Sequence, residues 1–352
     1  MSVACLRAVL RTCLAATTTS ANTNHIYKKR FTAMNKKSLI KNISRWILIS
    51  ILLIFVIIWK KDLLKSAFFE IKNLSFLPVF ICFCLSILYQ FFEGAIISTI
   101  SNISFLKGIK CALYCSFYKL ATLGTASGMA EVYFLTKSNI SFSKSSGITM
   151  IQYSIQKIAA TVFGLFSFLF LIFLKHKEVL DYKIFILTAT IVSVLISLSI
   201  ILIAASKKLA YLILKLISFI FKNKSETKRK FSLKIIHFNK NGRNLLKNKK
   251  VLLSVLLLNF LKLSMWFLIP AVIFRSRIVC SIGINTLKMS LAFMISGVMF
   301  SPAGVGTLEY VFSLLFATTF DSITATAIIL YRFFTMIVPF ILGLPVVLNN
   351  KK

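Results

Sequence analysis

Acidic residues are scarce in this chain: nine Asp and Glu stand against 43 Lys and Arg in 352 residues, leaving a formal charge of +34. Such a balance points to nucleic acid only until the basic residues are placed, and most of them flank apolar runs. Charged residues reach just 15% in total, where soluble domains carry about a quarter, so a water-soluble globular protein is excluded. Twelve Gly and five Pro are too few for a collagen-like or low-complexity chain. Alternating strands of about ten residues are missing, which argues against a transmembrane barrel. The three histidines, His25, His176 and His237, stand isolated, so spacing offers no Ser-His-Asp or Cys-His arrangement and no metal site. Phosphate-loop and dinucleotide fingerprints are also lacking, and no cofactor is expected. The seven cysteines, Cys5, Cys13, Cys82, Cys84, Cys111, Cys115 and Cys280, form no Cys-x-x-Cys pair and read as buried thiols.

What is abundant is apolar length. Hydrophobic residues make up 58% and the mean hydropathy is +0.85, the signature of an all-α, polytopic membrane protein. Stretches of spanning length lie near Ile43–Trp59, Leu77–Ile100, Ile148–Leu174, Ile184–Ala205, Val251–Phe274, Ile278–Phe300 and Ile323–Leu348. Two more segments, Ile109–Thr136 and Ser301–Phe320, are apolar but interrupted by Gly124, Ser127 and Gly128 and by Pro302, Gly304 and Gly306. These read as broken or re-entrant helices, giving about eight transmembrane helices in all. Backbone that leaves the helix at membrane depth must be buried in protein or line a wet cavity. The breaks therefore mark an interior site, unless Gly124 and Gly128 serve only close helix packing.

Four regions follow: an N-terminal extension over 1–35, a first transmembrane half over 36–221, a basic linker over 222–250 and a second half over 251–352. The extension is acid-free and too short in its apolar run to span, so it reads as a targeting segment or a mis-assigned start; Met34-Asn35-Lys36-Lys37 before a span suits a small bacterial membrane protein. The linker Lys222–Lys250 carries eleven basic residues and one acid, Glu226, and Lys28–Arg45 carries seven and none; both are expected in the cytoplasm. Within the linker, Phe231–Phe238 has the spacing of a short amphipathic surface helix. The linker reads as solvated, as a sheath on anionic lipid, or as an RNA contact.

One common offset lays Gly128 over Gly306, Glu131 over Glu309 and Tyr153 over Tyr331. The matches fall where helices break, and corresponding breaks in two halves point to a transporter-type site, although a repeat can also be purely architectural. Charges inside apolar spans cost roughly 2.5 to 3.5 kcal/mol each on insertion scales, so they should face the interior and find partners. Glu93, Glu131 and Glu309 are the acids concerned; Lys119, Lys157, Lys262, Lys288 and Arg332 are the bases. Spacing suggests the pairs Glu131 with Lys157 and Glu309 with Arg332. Lys119, Lys262 and Lys288 either snorkel to the interface or sit inside, where an unpaired cation would attract a phosphate such as a lipid headgroup.

The run Ser301-Pro302-Ala303-Gly304-Val305-Gly306-Thr307-Leu308-Glu309, followed by Tyr331-Arg332, resembles the lysylphosphatidylglycerol synthase transmembrane-region family, also called flippase-like. Pro302, Gly304, Gly306 and Glu309 match its Pro-Gly-Gly-Leu-Gly-x-x-Glu pattern, with Ala303 in place of a Gly. The earlier run Tyr118–Tyr133 resembles the first motif of the family, lacking its Pro and one of its paired Gly. The likeness covers about Lys36 to Leu348. It implies a multi-pass protein of the bacterial plasma membrane that moves aminoacylated or related phospholipids between leaflets, as in the membrane half of multiple peptide resistance proteins, which protect against cationic antimicrobial peptides.

On this reading the cavity is built by Lys119, Gly124, Gly128, Glu131, Tyr153, Lys157, Pro302, Gly304, Gly306, Glu309, Tyr331 and Arg332. The glutamates would bind or gate cationic headgroup parts, the bases would hold phosphate, and the glycines would hinge. Expected partners are an anionic or aminoacylated phospholipid, the bilayer, and a separate soluble lipid-modifying enzyme. The alternatives are a phosphatidylglycerol lysyltransferase fed by lysyl-tRNA, the membrane half of a split lipid-modifying enzyme, and a scaffold without transport. No soluble stretch in this sequence is of acyltransferase size, above about 50 residues, so whether it is an enzyme stays open.

Overall fold

The structure, a computed structural model, describes residues 69–352 apart from 123, 125, 221–231, 233–234, 237, 245, 247, 278–280, 300–305, 317–320 and 350–352. Contacts divide the chain after Phe69, and every helix named here belongs to the unit Glu70–Lys352. The expected extension over 1–35, the span Ile43–Trp59, Pro302, Gly304 and much of the basic linker lie outside the described residues.

Among the described residues all regular structure is helical. In chain order the helices are α1 Phe76–Ser101, α2 Phe105–Ala121, α3 Ser127–Lys137, α4 Phe142–Phe173, α5 Lys177–Asp181, α6 Lys183–Ala205, α7 Lys207–Ile220, α8 Lys249–Arg277, α9 Ile282–Ser296, α10 Thr307–Leu315, α11 Asp321–Arg332 and α12 Val338–Asn349. A π-helical turn, Phe333–Ile337, joins α11 to α12. Five stretches are long and apolar enough to cross a bilayer: Phe76–Ser101, Lys144–Phe173, Lys183–Ala205, Lys249–Arg275 and Ser322–Asn349. The chain is thus a polytopic helical membrane protein, with five spans among the described residues.

The expected span Ile278–Phe300 is shorter than hydropathy suggested. Its helix, α9, has 15 residues, or about 22 Å, against the roughly 30 Å of hydrocarbon a span must cover. Hydropathy cannot separate a short interior helix from a span, because both are apolar on every side. α9 packs on α10, which has nine residues, just as the 17-residue α2 packs on the 11-residue α3. Each half therefore holds a pair of short helices alongside its full spans.

Core residues come from both halves. Leu85 and Tyr89 of α1, Leu171 of α4, Phe267 and Phe274 of α8, Met289 and Ile295 of α9, Phe312 of α10 and Tyr331 of α11 belong to one buried cluster. Where apolar burial offers little preference over lipid, small polar residues supply the specificity between helices. Thr161 of α4 shares hydrogen bonds with Ser193 and Ser197 of α6 at 2.8 and 2.9 Å, and Ser167 of α4 meets Ser290 of α9 at 2.6 Å. α1 and α2 touch backbone to backbone at Gly94 and Gly108: a Cβ on Gly108 would lie 2.2 Å from Gly94 O. Outward, Ile184, Leu187, Ile191, Leu195 and Leu198 of α6 stay exposed, the apolar face that a span presents to lipid.

The linker does not simply rest on the surface. Phe238 is buried against Ile96, Ile151, Ile155 and Val255. Asn239 Nδ2 donates to Ile203 O at 2.8 Å, a carbonyl in the last turn of α6, and to Ser206 O at 3.2 Å, which also accepts from Ala210 N–H. The amphipathic pattern around Phe238 packs on the bundle.

Candidate functional site

Breaking the second half begins at Gly306, whose φ of +86° is a left-handed geometry that costs a residue with a Cβ about 1–2 kcal/mol. α10 starts at the next residue, which places Glu309 in its first turn. Glu309 Oε2 accepts from Gly306 N–H at 2.8 Å, and Oε1 accepts from Arg332 Nε at 2.6 Å. The carboxylate thus caps an orphan donor, sits at the positive end of a helix dipole, and binds the last residue of α11. The Glu309–Arg332 pair suggested by spacing is present.

Immediately after Arg332 the backbone widens into the π turn. Such turns free carbonyls from regular pairing. Ser86 of α1 donates its hydroxyl to Phe334 O at 2.6 Å, and Thr335 donates to Tyr331 O at 2.7 Å. The turn aims Thr335 and Met336 into a cavity of about 90 Å³. Arg332 Nη1 lies 4.0 Å from Met336 Sδ, so the ion pair stands one side chain behind the cavity wall. Tyr331 is buried in the bundle core at 3% exposure.

The first half breaks differently. Gly124 takes φ +83°, and its N–H donates to Lys119 O at 2.7 Å, closing the end of α2. α3 then begins at Ser127. Gly124, rather than Gly128, is therefore the conformational counterpart of Gly306. Gly128 lies inside α3, where a Cβ would make ordinary contacts of 3.5 Å to Tyr153 and 3.7 Å to Thr149. Glu131 falls further into its helix than Glu309 does, and it is 1% exposed.

The suggested pair Glu131 with Lys157 does not form. Lys157 Nζ donates to Gly297 O at 3.0 Å, at the C-terminal end of α9, where a cation is favoured by the helix dipole. Glu131 Oε1 has no hydrogen-bond partner among the described residues.

The cavity lies between the first break and the π turn. Its wall includes Lys119 and Ser116 of α2, Ser127 of α3, Tyr153 and Gln156 of α4, Tyr89 and Glu93 of α1, and Trp266 of α8. Lys119 Nζ stands 4.6 Å from the centre of the Trp266 ring, a cation–π geometry, and Trp266 stacks on Tyr89 at 3.9 Å. Tyr153 O–H lies 3.3 Å from Ser127 Oγ. Among the described residues Lys119 makes no ion pair. Glu93, the only acid on the wall among the described residues, is already matched: its Oε2 is 2.6 Å from Lys262 Nζ, and its Oε1 accepts from Gln152 Nε2 at 3.0 Å. Lys262 also donates to Gln156 Oε1 at 3.1 Å.

Of the bases that either snorkel or sit inside, Lys262 is fully buried and Lys288 is 4% exposed. Lys288 Nζ lies 3.3 Å from Glu178 Oε1 and 5.3 Å over the Phe316 ring. Glu178 follows His176, whose Nδ1 is 2.5 Å from Glu178 Oε2. Spacing missed the Glu93–Lys262 and Lys288–Glu178 pairs because their partners are far apart in sequence. The sequence signal that was available is the rarity of acids inside apolar runs, which singled out Glu93. Among the described residues there is no cluster of His, Cys, Asp or Glu fit to hold a metal ion.

The chain belongs to the family described as lysylphosphatidylglycerol synthase TM region, which it matches over residues 37–343. A comparison with curated proteins finds no match.

Proposed function

We propose that this protein carries aminoacylated or related phospholipids from one leaflet of the bacterial plasma membrane to the other. The observation that carries the reading is Lys119, a cation with no ion-pair partner among the described residues, on the wall of a cavity lined by the first broken-helix pair and the π turn. A lysine held over an aromatic face, in a cavity that Ser116, Ser127 and Tyr153 also line, suits a phosphate oxygen. The cavity is far below the roughly 300–1,000 Å³ of an ordinary small-molecule site, so it takes the charged end of a headgroup and leaves the acyl chains in lipid. Glu309 and Arg332, tied together behind Met336, are placed to answer a bound headgroup by exchanging partners, and Gly306 and Gly124 sit where the backbone turns.

Family membership supports a place in lysylphosphatidylglycerol synthesis and export. It also supports a second reading, participation in the lysyl transfer itself. One experiment separates them. The chain is expressed in cells devoid of aminoacylated lipid, with and without a separate synthase, and total and outer-leaflet lysylphosphatidylglycerol are measured. Translocation predicts no new lipid from this chain alone and a raised outer-leaflet fraction once the synthase is present. New lysylphosphatidylglycerol from this chain alone, or an unchanged outer-leaflet fraction beside the synthase, overturns the proposal.

A further inference from the structure

Behind the cavity, where α3 packs on α4, three buried oxygen atoms lack hydrogen-bond partners among the described residues: Glu131 Oε1, Thr149 Oγ1 and Gln152 Oε1. Their residues are 1%, 5% and 2% exposed. Buried polar atoms of this kind are nearly always satisfied, and each one that is not asks for a missing partner. Thr149 lies beside the Glu131 carboxyl, close enough to act on its charge but outside the geometry of a full hydrogen bond. Gln152 stands one turn further along α4, on the same helix face. Its amide nitrogen is committed to Glu93 Oε1, an assignment fixed because a carboxylate only accepts, so its carbonyl oxygen is left for another partner.

The charges around this point do not cancel. Among the described residues the titratable neighbours of Glu131 are Glu93, Lys262, Cys111, Cys115 and Tyr153. Lys262 is the one cation among them, and it is held by Glu93 at 2.6 Å and Gln156 at 3.1 Å. A buried carboxylate without a counter-charge is costly enough that it acquires one or takes up a proton. All three orphan atoms are oxygens, the ligand type of hard cations. With one negative charge to balance, the fitting charge is +1.

From this we infer that Glu131, Thr149 and Gln152 form a binding site for a monovalent cation, H⁺ or Na⁺. A proton on Glu131 neutralises the carboxylate; a sodium ion also supplies Thr149 and Gln152 with a partner. The site fixes α3 against α4, and α3 carries Ser127, which meets Tyr153 on the cavity wall. Occupancy is thereby linked to the shape of the lipid cavity. That link, by which an ion gradient would drive lipid movement, rests on the translocation reading; the binding of the cation does not.

The test uses purified full-length protein in detergent, with no lipid-transport readout. Binding of radioactive ²²Na⁺ is measured against choline chloride, and the protonation of Glu131 is read from the carboxylic-acid infrared band at neutral pH, wild type minus E131Q. Saturable ²²Na⁺ binding that E131Q abolishes and T149V weakens about tenfold or more establishes the sodium site. Absence of ²²Na⁺ binding together with a protonated-acid band that E131Q removes establishes the proton site. If E131Q does not fold, T149V serves for the sodium arm, and a pH titration of the wild-type band serves for the proton arm. An ionised Glu131 at neutral pH with no sodium bound overturns the inference. Should the site bind its cation while vesicles show no lipid movement, the translocation reading fails and this one stands.

Discussion

Lys262 Nζ lies 2.6 Å from Glu93 Oε2, and the lysine side chain is wholly withdrawn from solvent while the glutamate keeps 17% exposure. The pair joins α8 to α1, and Gln152 and Gln156 extend it to α4. Removing one member leaves a buried charge alone, which costs about 3–5 kcal/mol, whereas removing both costs much less. Glu93→Gln and Lys262→Met should each lower the unfolding temperature in detergent strongly, and the double variant should recover most of the loss. Additive destabilisation in the double variant would show that the two do not act as a pair.

Lys119 touches the Trp266 face and no carboxylate partner among the described residues, so its charge is available to a ligand. Lys119→Met keeps most of the apolar stem and loses a cation–π contact worth about 0.5–2 kcal/mol. The variant should stay folded and monodisperse but retain less anionic phospholipid through purification, as measured by native mass spectrometry. Equal lipid retention in variant and wild type would remove Lys119 from the site.

Glu309 serves Gly306 N–H and Arg332 Nε together, so a change of charge and a change of geometry both break the arrangement. Glu309→Gln should reduce lipid translocation by about tenfold or more, in line with losing a charge-assisted bond of about 1.5–3 kcal/mol. Arg332→Lys should not substitute, because a point charge on a flexible stem does not reproduce the fixed fork. Translocation at the wild-type rate in Arg332→Lys would show that charge alone suffices.

Two glycines separate tight packing from mere presence at a motif. A Cβ at Gly108 would stand 2.2 Å from Gly94 O, while one at Gly128 meets nothing closer than 3.5 Å. Gly108→Ala should therefore prise α1 from α2 and cut folded yield severely. Gly128→Ala should be tolerated, since Gly128 stands in the first turn of α3 and a methyl group there makes only ordinary contacts. Size-exclusion profiles of the two variants in detergent check this, and equal behaviour would contradict it.

The sequence made some of this site legible and hid the rest for physical reasons. Helix breaks near Gly124 and Gly306 show because a residue with a Cβ resists positive φ, and the Glu309–Arg332 pair shows because both ends lie on neighbouring short helices. Glu131 with Lys157 looked equivalent by offset, but Glu131 enters its helix at a later turn, and Lys157 finds a free carbonyl at the end of α9. The pair Glu93–Lys262 is 169 residues apart, a contact made by packing α1 on α8, for which local spacing holds no signal. Likewise, α9 is as apolar as a span, and only the fold reveals that it stops short.

The most direct test of the central claim is lipid movement by the purified protein in vesicles. Phosphatidylglycerol vesicles carrying fluorescent lysylphosphatidylglycerol on both leaflets are treated with an outside-only quencher, with wild type or Glu309→Gln incorporated. The account predicts that wild type makes the inner-leaflet lipid accessible and that the variant does so about tenfold or more slowly, with protein-free vesicles keeping it protected. Protection in wild-type vesicles under proton and sodium gradients of either direction would contradict it.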